Sequence, residues 1–313
     1  MALLAEYALT PDVFDVTSYS SEEVSGIHLQ TVKDVLLEEG LVRNLRGGEW
    51  ASLFTGDDRP WHRRAKEILK KLATQNRLVI HPPMGNAAPT RDTEWCDEAL
   101  ASHLAYSLSG IIATQAIAGG YAGKPVVAAI DRLPTTSWWT SRSPSLRLRR
   151  TLGDYRSALD LVLRHANSIM LIDPHVDPSR RQYSDFAALV QSAGARTPAP
   201  LIEIHRVCYR GSGQARQLLD LGELELIFRQ ALSPAVTAAH LNVEVFIWDD
   251  FHDRYLLSDL IGISVPNGFD TTTATDITTW TRLGRQNRDD VMREFDPASN
   301  RHTLRRTFTI PQT

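Results

Sequence analysis

The sequence predicts an α/β protein with a largely parallel sheet, and three observations carry that expectation. Short apolar runs alternate with amphipathic ones along most of the chain, and its 313 residues suit about two domains. Three of the apolar runs also end in polar residues of the kind that strand ends present to a ligand. Strand-like runs occupy Arg77–His81, Pro125–Ile130, Ser168–Asp173, Leu201–Val207, Val243–Trp248, Arg254–Ser258, Ile261–Val265 and Thr307–Ile310. Helical spacing of apolar residues marks His28–Glu39, Trp61–Ala73, Asp97–Ala118, Tyr155–His165, Tyr183–Ser192, Glu223–Gln230 and Gln286–Arg293.

A stretch of breakers and hydroxyls, Pro134-Thr-Thr-Ser-Trp-Trp-Thr-Ser-Arg-Ser-Pro-Ser145, separates two better-patterned halves. The expected division is a unit at 1–131 for recognition or assembly, a linker at 132–153 and a second unit at 154–313. With 42% hydrophobic and 23% charged residues, the composition excludes disorder and collagen-like repeats. The two cysteines, Cys96 and Cys208, are isolated, which excludes a disulfide scaffold and points to a reducing, cytoplasmic setting. Met1-Ala-Leu-Leu-Ala-Glu6 reaches an acid with no basic n-region, so no signal peptide is expected. The apolar stretch Ala99–Ala118 is interrupted by Ser102, His103, Ser107, Ser109 and Gln115, so it reads as a buried core helix, with no transmembrane segment.

Of the 34 basic residues only five are lysine, and none lies beyond Lys124. No lysine Schiff base, P-loop lysine or lysine proton donor is therefore available in the second half. Net charge is −3, so any site for a polyanion must be local.

The polar strand ends are Asp173-Pro-His175, Glu203-Ile-His205-Arg206 and Asp249-Asp250-Phe-His252-Asp253-Arg254. Alternation along a strand puts Glu203 and His205 on one face, and Asp250, His252 and Arg254 on a common face if that stretch is extended. A histidine, a carboxylate and an arginine are expected to converge there.

His252-x-Arg254-x4-Asp259, followed by Pro266-Asn267-Gly268, resembles the H-x-K-x4-D motif of the phospholipase D superfamily with arginine in place of lysine. The likeness extends over roughly 150–310, where the order of strands and helices is similar to one half of such a fold. Asp173-Pro174-His175 and Gly268-Phe269-Asp270 stand where the single-motif branch, represented by the MIT C-terminal domain, has its own short motifs. The resemblance implies a C-terminal mixed sheet flanked by helices, beside a separate N-terminal α/β domain. It further implies a phosphodiesterase in which His252 attacks phosphorus while Arg254 and Asn267 clamp the phosphate oxygens. Glu203 and His205 would serve proton transfer, with Arg282, His175 and Arg206 as further anion contacts. Asp259, Asp250 and Asp270 would orient their neighbours.

Two departures from the family pattern bear on mechanism. Arginine holds phosphate bidentately but does not give up a proton. A single motif also means that two copies of His252 meet only in a homodimer. Nucleic acid is the expected substrate, which makes the protein a nuclease. The resemblance also suits an accessory part in bacterial anti-phage defence beside a partner protein. The alternatives are a non-catalytic module binding nucleic acid, phosphoinositide or protein, and a metal-dependent nuclease. The metal would be a divalent ion on Asp173, His175, Glu203, His205 and Asp250. No H-x-x-x-H or C-x-x-C spacing fixes such an ion, so no cofactor or metal is assigned.

Arg142, Arg147, Arg149 and Arg150, near Trp138 and Trp139, form an acid-free stretch suited to single-stranded nucleic acid. A solvated linker accounts for it equally. Tyr7-Ala-Leu-Thr-Pro-Asp12-Val-Phe-Asp15 resembles, in outline, the opening acidic strand of PIN-like nucleases, with Glu22, Glu23, Asp57 and Asp58 as further acids. A Pro-Asp turn with solvent-facing acids explains these residues as well.

Overall fold

The computed structural model describes residues 3–56, 59–211, 215–272 and 275–311. The chain divides into two compact units, Leu4–Arg142 and the remainder from Ser143 onward, with Leu3 belonging to the second. Both are α/β.

In the first unit, β1 (Ala5–Leu9), β2 (Gly40–Asn44), β3 (Leu78–Ile80), β4 (Gly110–Ala113) and β5 (Val127–Ala129) form an all-parallel sheet in the order β3-β2-β1-β4-β5. Its middle strands are buried along nearly their whole length, as a sheet with covered faces requires. Glu6 on β1 and Arg43 on β2 pair bidentately inside it, at 2.7 and 2.8 Å. Burial alone would push the Glu6 carboxyl up, but hydrogen bonds from His81 and Arg43 hold it at about 2. Helices Glu22–Glu38, Arg63–Thr74 and Asp92–Ala105 connect these strands, and Tyr7, Phe14, Leu36, Trp50, Ile68 and Trp95 share the core.

The expected helix over Asp97–Ala118 is corrected here: it starts earlier, ends at Ala105, and the chain re-enters the sheet as β4. Ser107-Leu-Ser109-Gly110 breaks the helical run, and Ile111 and Ile112 are central-strand residues buried from water.

The second unit has one eight-stranded mixed sheet, made of β6 (Ser145–Arg149), β7 (Ser168–Ile172), β8 (Leu201–Val207), β11 (Asn242–Trp248), β12 (Tyr255–Ser258), β13 (Gly262–Ser264), β14 (Ile277–Arg282) and β15 (Leu304–Ile310). Their order is β15-β11-β8-β7-β12-β13-β14-β6. β9 (Tyr209–Arg210) and β10 (Gln217–Leu218) make a small separate ladder. Only β11–β8 and β8–β7 are parallel; the other pairs are antiparallel. Alternation sorts the side chains. Ile169, Leu171, Ile202 and Leu256 pack with Leu159, Leu163, Leu189 and Val190 of helices Leu152–His165 and Phe186–Gln191. On the opposite face, Met170, Ile172, Val207, Phe246, Trp248 and Leu257 pack with Phe251 and Phe295.

The segment 132–153, expected as a linker, holds the boundary between the units at Arg142–Ser143 and carries regular structure. Ser137–Thr140 is a helical turn whose Trp138 donates to the Pro125 carbonyl at 3.1 Å, and Ser145–Arg149 is the edge strand β6, paired with β14. Among the described residues, no helix is long and apolar enough to cross a membrane.

Candidate functional site

Strand registers bring the second unit's polar segments to one end of the sheet. β7 and β8 are parallel neighbours, so Asp173 and His175 after β7 lie beside Arg206 at the end of β8. β12 runs antiparallel to β7 with Tyr255 opposite Ile172, which sets Arg254 next to Asp173. β13 returns antiparallel to β12 with Ser264 opposite Tyr255, so Asn267 and Gly268 arrive at the same place.

Asp173 organises this end. Fully buried, its carboxylate accepts from the His175 backbone N–H at 2.9 Å, the Tyr183 hydroxyl at 3.0 Å and the Phe269 N–H at 3.2 Å. Its Oδ1 also lies 3.5 Å from Nε of Arg254, whose Nη1 reaches the Pro266 carbonyl at 3.4 Å. Burial, then the Asp173 charge, push the Tyr183 phenol far up, so it stays a donor. Gly268 is obligatory: its φ is +68°, and a Cβ there would stand 2.1 Å from Oδ2 of Asp173.

Beside Asp173 lies a cavity of about 400 Å³ with His175, Asp177, Arg180, Arg206, Arg210, Arg254, Asn267 and Asp270 in its wall. Arg206 is only 2% exposed. Its Nε donates to the Val207 carbonyl at 2.8 Å and its Nη2 to the Tyr209 carbonyl at 3.1 Å. Among the described residues its buried Nη1 has no hydrogen-bond partner. Burial lowers its pKa to about 10, against the raising effect of Asp177 and Asp173, so it remains charged at neutral pH. A guanidinium in the wall of a cavity that holds further arginines is chemically suited to an anion. Burial, then the Arg254 charge, lower the His175 pKa, so its ring is neutral at neutral pH; the charge of His252 acts in the same direction. His252 itself is exposed, and among the described residues its ring has no hydrogen-bond partner.

Several expected members lie elsewhere. His205 is fully buried and stacked on Phe246, its ring 4.8 Å away, and on Trp248. It shares a hydrogen bond with Glu203 at 3.1 Å and accepts from the Trp248 indole at 3.1 Å. Alternation puts both residues on the sheet face opposite Arg206, so neither reaches the cavity. The five-residue metal constellation therefore does not assemble, and Asp250 is paired with Arg216 at 2.9 Å. Among the described residues, no group of three or more His, Cys, Asp or Glu side chains is arranged to hold a metal ion. Arg282 reaches the Leu3 carbonyl at 3.4 Å and is absent from the cavity wall. Asp259 accepts from the Asn167 backbone N–H at 2.9 Å, and Asp270 from Arg150.

The arginine-rich stretch is largely neutralised from within. Arg142 pairs with Glu39 at 2.6 Å and lies 3.7 Å over Trp139, Arg149 pairs with Asp154 at 2.9 Å, and Arg150 holds Asp270. Arg147 alone of the four is exposed on β6 without a carboxylate partner among the described residues.

In the first unit, Asp12 and Asp15 are buried, contrary to the solvent-facing expectation. Asp12 accepts from the Thr114 N–H at 3.1 Å, across the point where strand order reverses, and Asp15 caps Thr17 at 2.9 Å. Glu22 and Glu23 are exposed, and Asp57 and Asp58 lie outside the described residues.

The sequence signalled Arg254, Asn267 and His175 through their motifs. The roles of Asp173 as organiser and of Tyr183, Arg180 and Arg210 in the wall were missed. Only strand register and the return of the chain after β13 bring them together.

No protein-family model matches the chain, and no curated protein matches it. Among solved structures it is similar to an archaeal chromatin protein, TrmBL2, described as showing a novel mode of DNA binding. That match has 12% identity over 83% of this chain and 88% of that one, with a TM-score of 0.30. A likeness at this level bears on neither fold nor function.

Proposed function

We propose that the second unit is a phosphodiesterase acting on nucleic acid, with the scissile phosphate seated between Arg206 and Arg254. The observation that carries this reading is the buried Arg206 guanidinium in the wall of a cavity that a second arginine and an asparagine also line. Arg254 is held by Asp173 at the position that the phospholipase D-like motif assigns to the phosphate clamp, with Asn267 beside it. His252, two residues before Arg254, is exposed and is not among the residues lining the cavity; on this reading its imidazole turns to the phosphate as the nucleophile. Its ring nitrogen forms a bond to phosphorus while the bond from phosphorus to the leaving oxygen breaks, and the arginines stabilise the charge on the remaining oxygens. A cytoplasmic homodimer, serving anti-phage defence beside a partner protein, is the setting the motif resemblance supports.

A binding module without chemistry is the second reading. It is favoured by His252 having no group to orient its ring among the described residues. Incubation of the protein with single- and double-stranded DNA and RNA, in EDTA or in Mn²⁺, separates the readings. Cleavage that survives EDTA and falls by about 10²-fold or more in His252→Ala supports the phosphodiesterase. Cleavage requiring metal supports a metal-dependent nuclease, and binding without cleavage in every condition supports the module.

A further inference from the structure

We infer that the cavity seats two successive phosphates of one nucleic-acid strand, one on Arg206 and Arg254 and its neighbour on Arg180 and Arg210. This rests on the reading above that a nucleic-acid phosphate sits between Arg206 and Arg254, and it requires no chemistry at that phosphate. It adds a subsite made of two arginines that belong to no motif in the sequence.

The second pair is organised as the first is. Asp177, 3% exposed, holds Arg180 and Arg210 as Asp173 holds Arg254. Its Oδ1 accepts from the Ser179 backbone N–H at 3.2 Å and the Ser179 hydroxyl at 2.6 Å, which fixes the carboxylate. Its Oδ2 lies 3.2 Å from Nε of Arg180 and 3.6 Å from Nη2 of Arg210. The Arg180 backbone N–H donates to the Asp177 carbonyl at 2.9 Å, and Arg210 is set opposite Gln217 in the β9–β10 ladder. One carboxylate thus serves two guanidiniums, and among the described residues no other carboxylate pairs with either. Both line the cavity with 41% and 48% of their side chains exposed, so a ligand can reach them.

Arg206 stands between the two pairs. Burial acts on it most strongly, followed by the charge of Asp177 and then that of Asp173, while Arg180 opposes them. The charge in the wall also fits two phosphates. Four arginines are set against Asp173 and Asp177, and Asp270 is neutralised by Arg150, which leaves an excess of two positive charges, one for each diester phosphate. A volume of about 400 Å³ is that of a site for a small organic ligand and exceeds the needs of a single phosphate.

Calorimetry at low salt in EDTA tests the inference, with the full-length protein carrying His252→Ala so that the ligand stays intact. The ligands are the thymidine dinucleotide TpT, with one phosphate, the trinucleotide TpTpT, with two, and TpTpT bearing a neutral methylphosphonate at either linkage. This parent should bind TpTpT about tenfold more tightly than either methylphosphonate analogue. In Arg180→Gln/Arg210→Gln that ratio should fall to within about threefold of unity, and the slope of log affinity for TpTpT against log salt should fall by about 0.7. TpT should bind parent and variant within about threefold, which also reports a folded clamp. Removing the same charge at Arg293 and Arg301, both exposed and outside the cavity wall, should leave the tenfold ratio intact.

A tenfold ratio retained by Arg180→Gln/Arg210→Gln would overturn the inference, as would its loss in Arg293→Gln/Arg301→Gln. Loss of TpT binding in the first variant, with unchanged circular dichroism, would merge the two pairs into one site and overturn it too. Inorganic pyrophosphate should bind no tighter than TpTpT. Binding tighter by tenfold or more, abolished in the variant, would assign the arginines to a diphosphate instead. TpT binding that is absent, or indifferent to Arg206→Met, would refute the reading of the clamp, and the inference would fall with it.

Discussion

Arg206 and His205 are sequence neighbours on β8 and show how strand alternation decides role. Arg206 lines the cavity, with one donor unpartnered among the described residues, whereas His205 turns to the other face and has both ring nitrogens engaged. In the sequence both looked like site residues, since a polar strand end does not reveal which face the helix after β14 and Phe295 will cover. The buried His205 has a consequence for stability. Burial lowers its pKa from 6.5, the ordinary histidine value, against the raising effect of Glu203. Below pH 6.5 the unfolded chain therefore binds a proton that the folded chain refuses, and stability falls as pH drops from there toward the lowered value. The slope due to one such proton is about 1.4 kcal/mol per pH unit. Denaturant unfolding at pH 5 and pH 7.5 should show a larger loss for wild type than for His205→Phe. That variant keeps the ring stack but lacks the titrating group; equal losses would contradict the assignment.

At the scale of elements, the long strands of the second unit were legible because they carry Val, Ile and Leu between turn signals, as Leu201–Val207 does. Others were hidden for physical reasons. β1 and β2 each bury a charge, Glu6 and Arg43, and a single strand gives no sign that the two will pair across the sheet. β6, Ser145–Arg149, alternates as an edge strand should, but its arginines read as a basic linker until Asp154 and Asp270 are seen to pair with Arg149 and Arg150. The turn after β13 was legible as Asn267-Gly268, though not the reason for the glycine. Gly268→Ala combines a positive φ with a clash against Asp173, and should destabilise by roughly 2 kcal/mol or more. A midpoint shift in urea would measure it. Because the same clash displaces the group that holds Arg254, phosphate binding should weaken together with stability, and an unchanged midpoint would show that the turn relaxes freely.

At the scale of the whole molecule, the sequence's α/β class and its two halves correspond to two sheets of different character, one parallel and one mixed. Charge follows the same economy. Net charge is −3, and most of the arginine-rich stretch is spent on internal carboxylates, so on the proposed reading a nucleic acid would meet the second unit's positive charge in the cavity that Arg206 and Arg254 line. The most direct test of that claim is the affinity for a short 5′-phosphorylated oligothymidylate, measured by calorimetry across a salt series for wild type and Arg206→Met. The account predicts a shallow dependence on salt, that of about two phosphate contacts, and a loss of tenfold or more in Arg206→Met. Equal affinity in the two proteins, or a steep slope of five or more contacts retained by the variant, would place the nucleic acid elsewhere and contradict it.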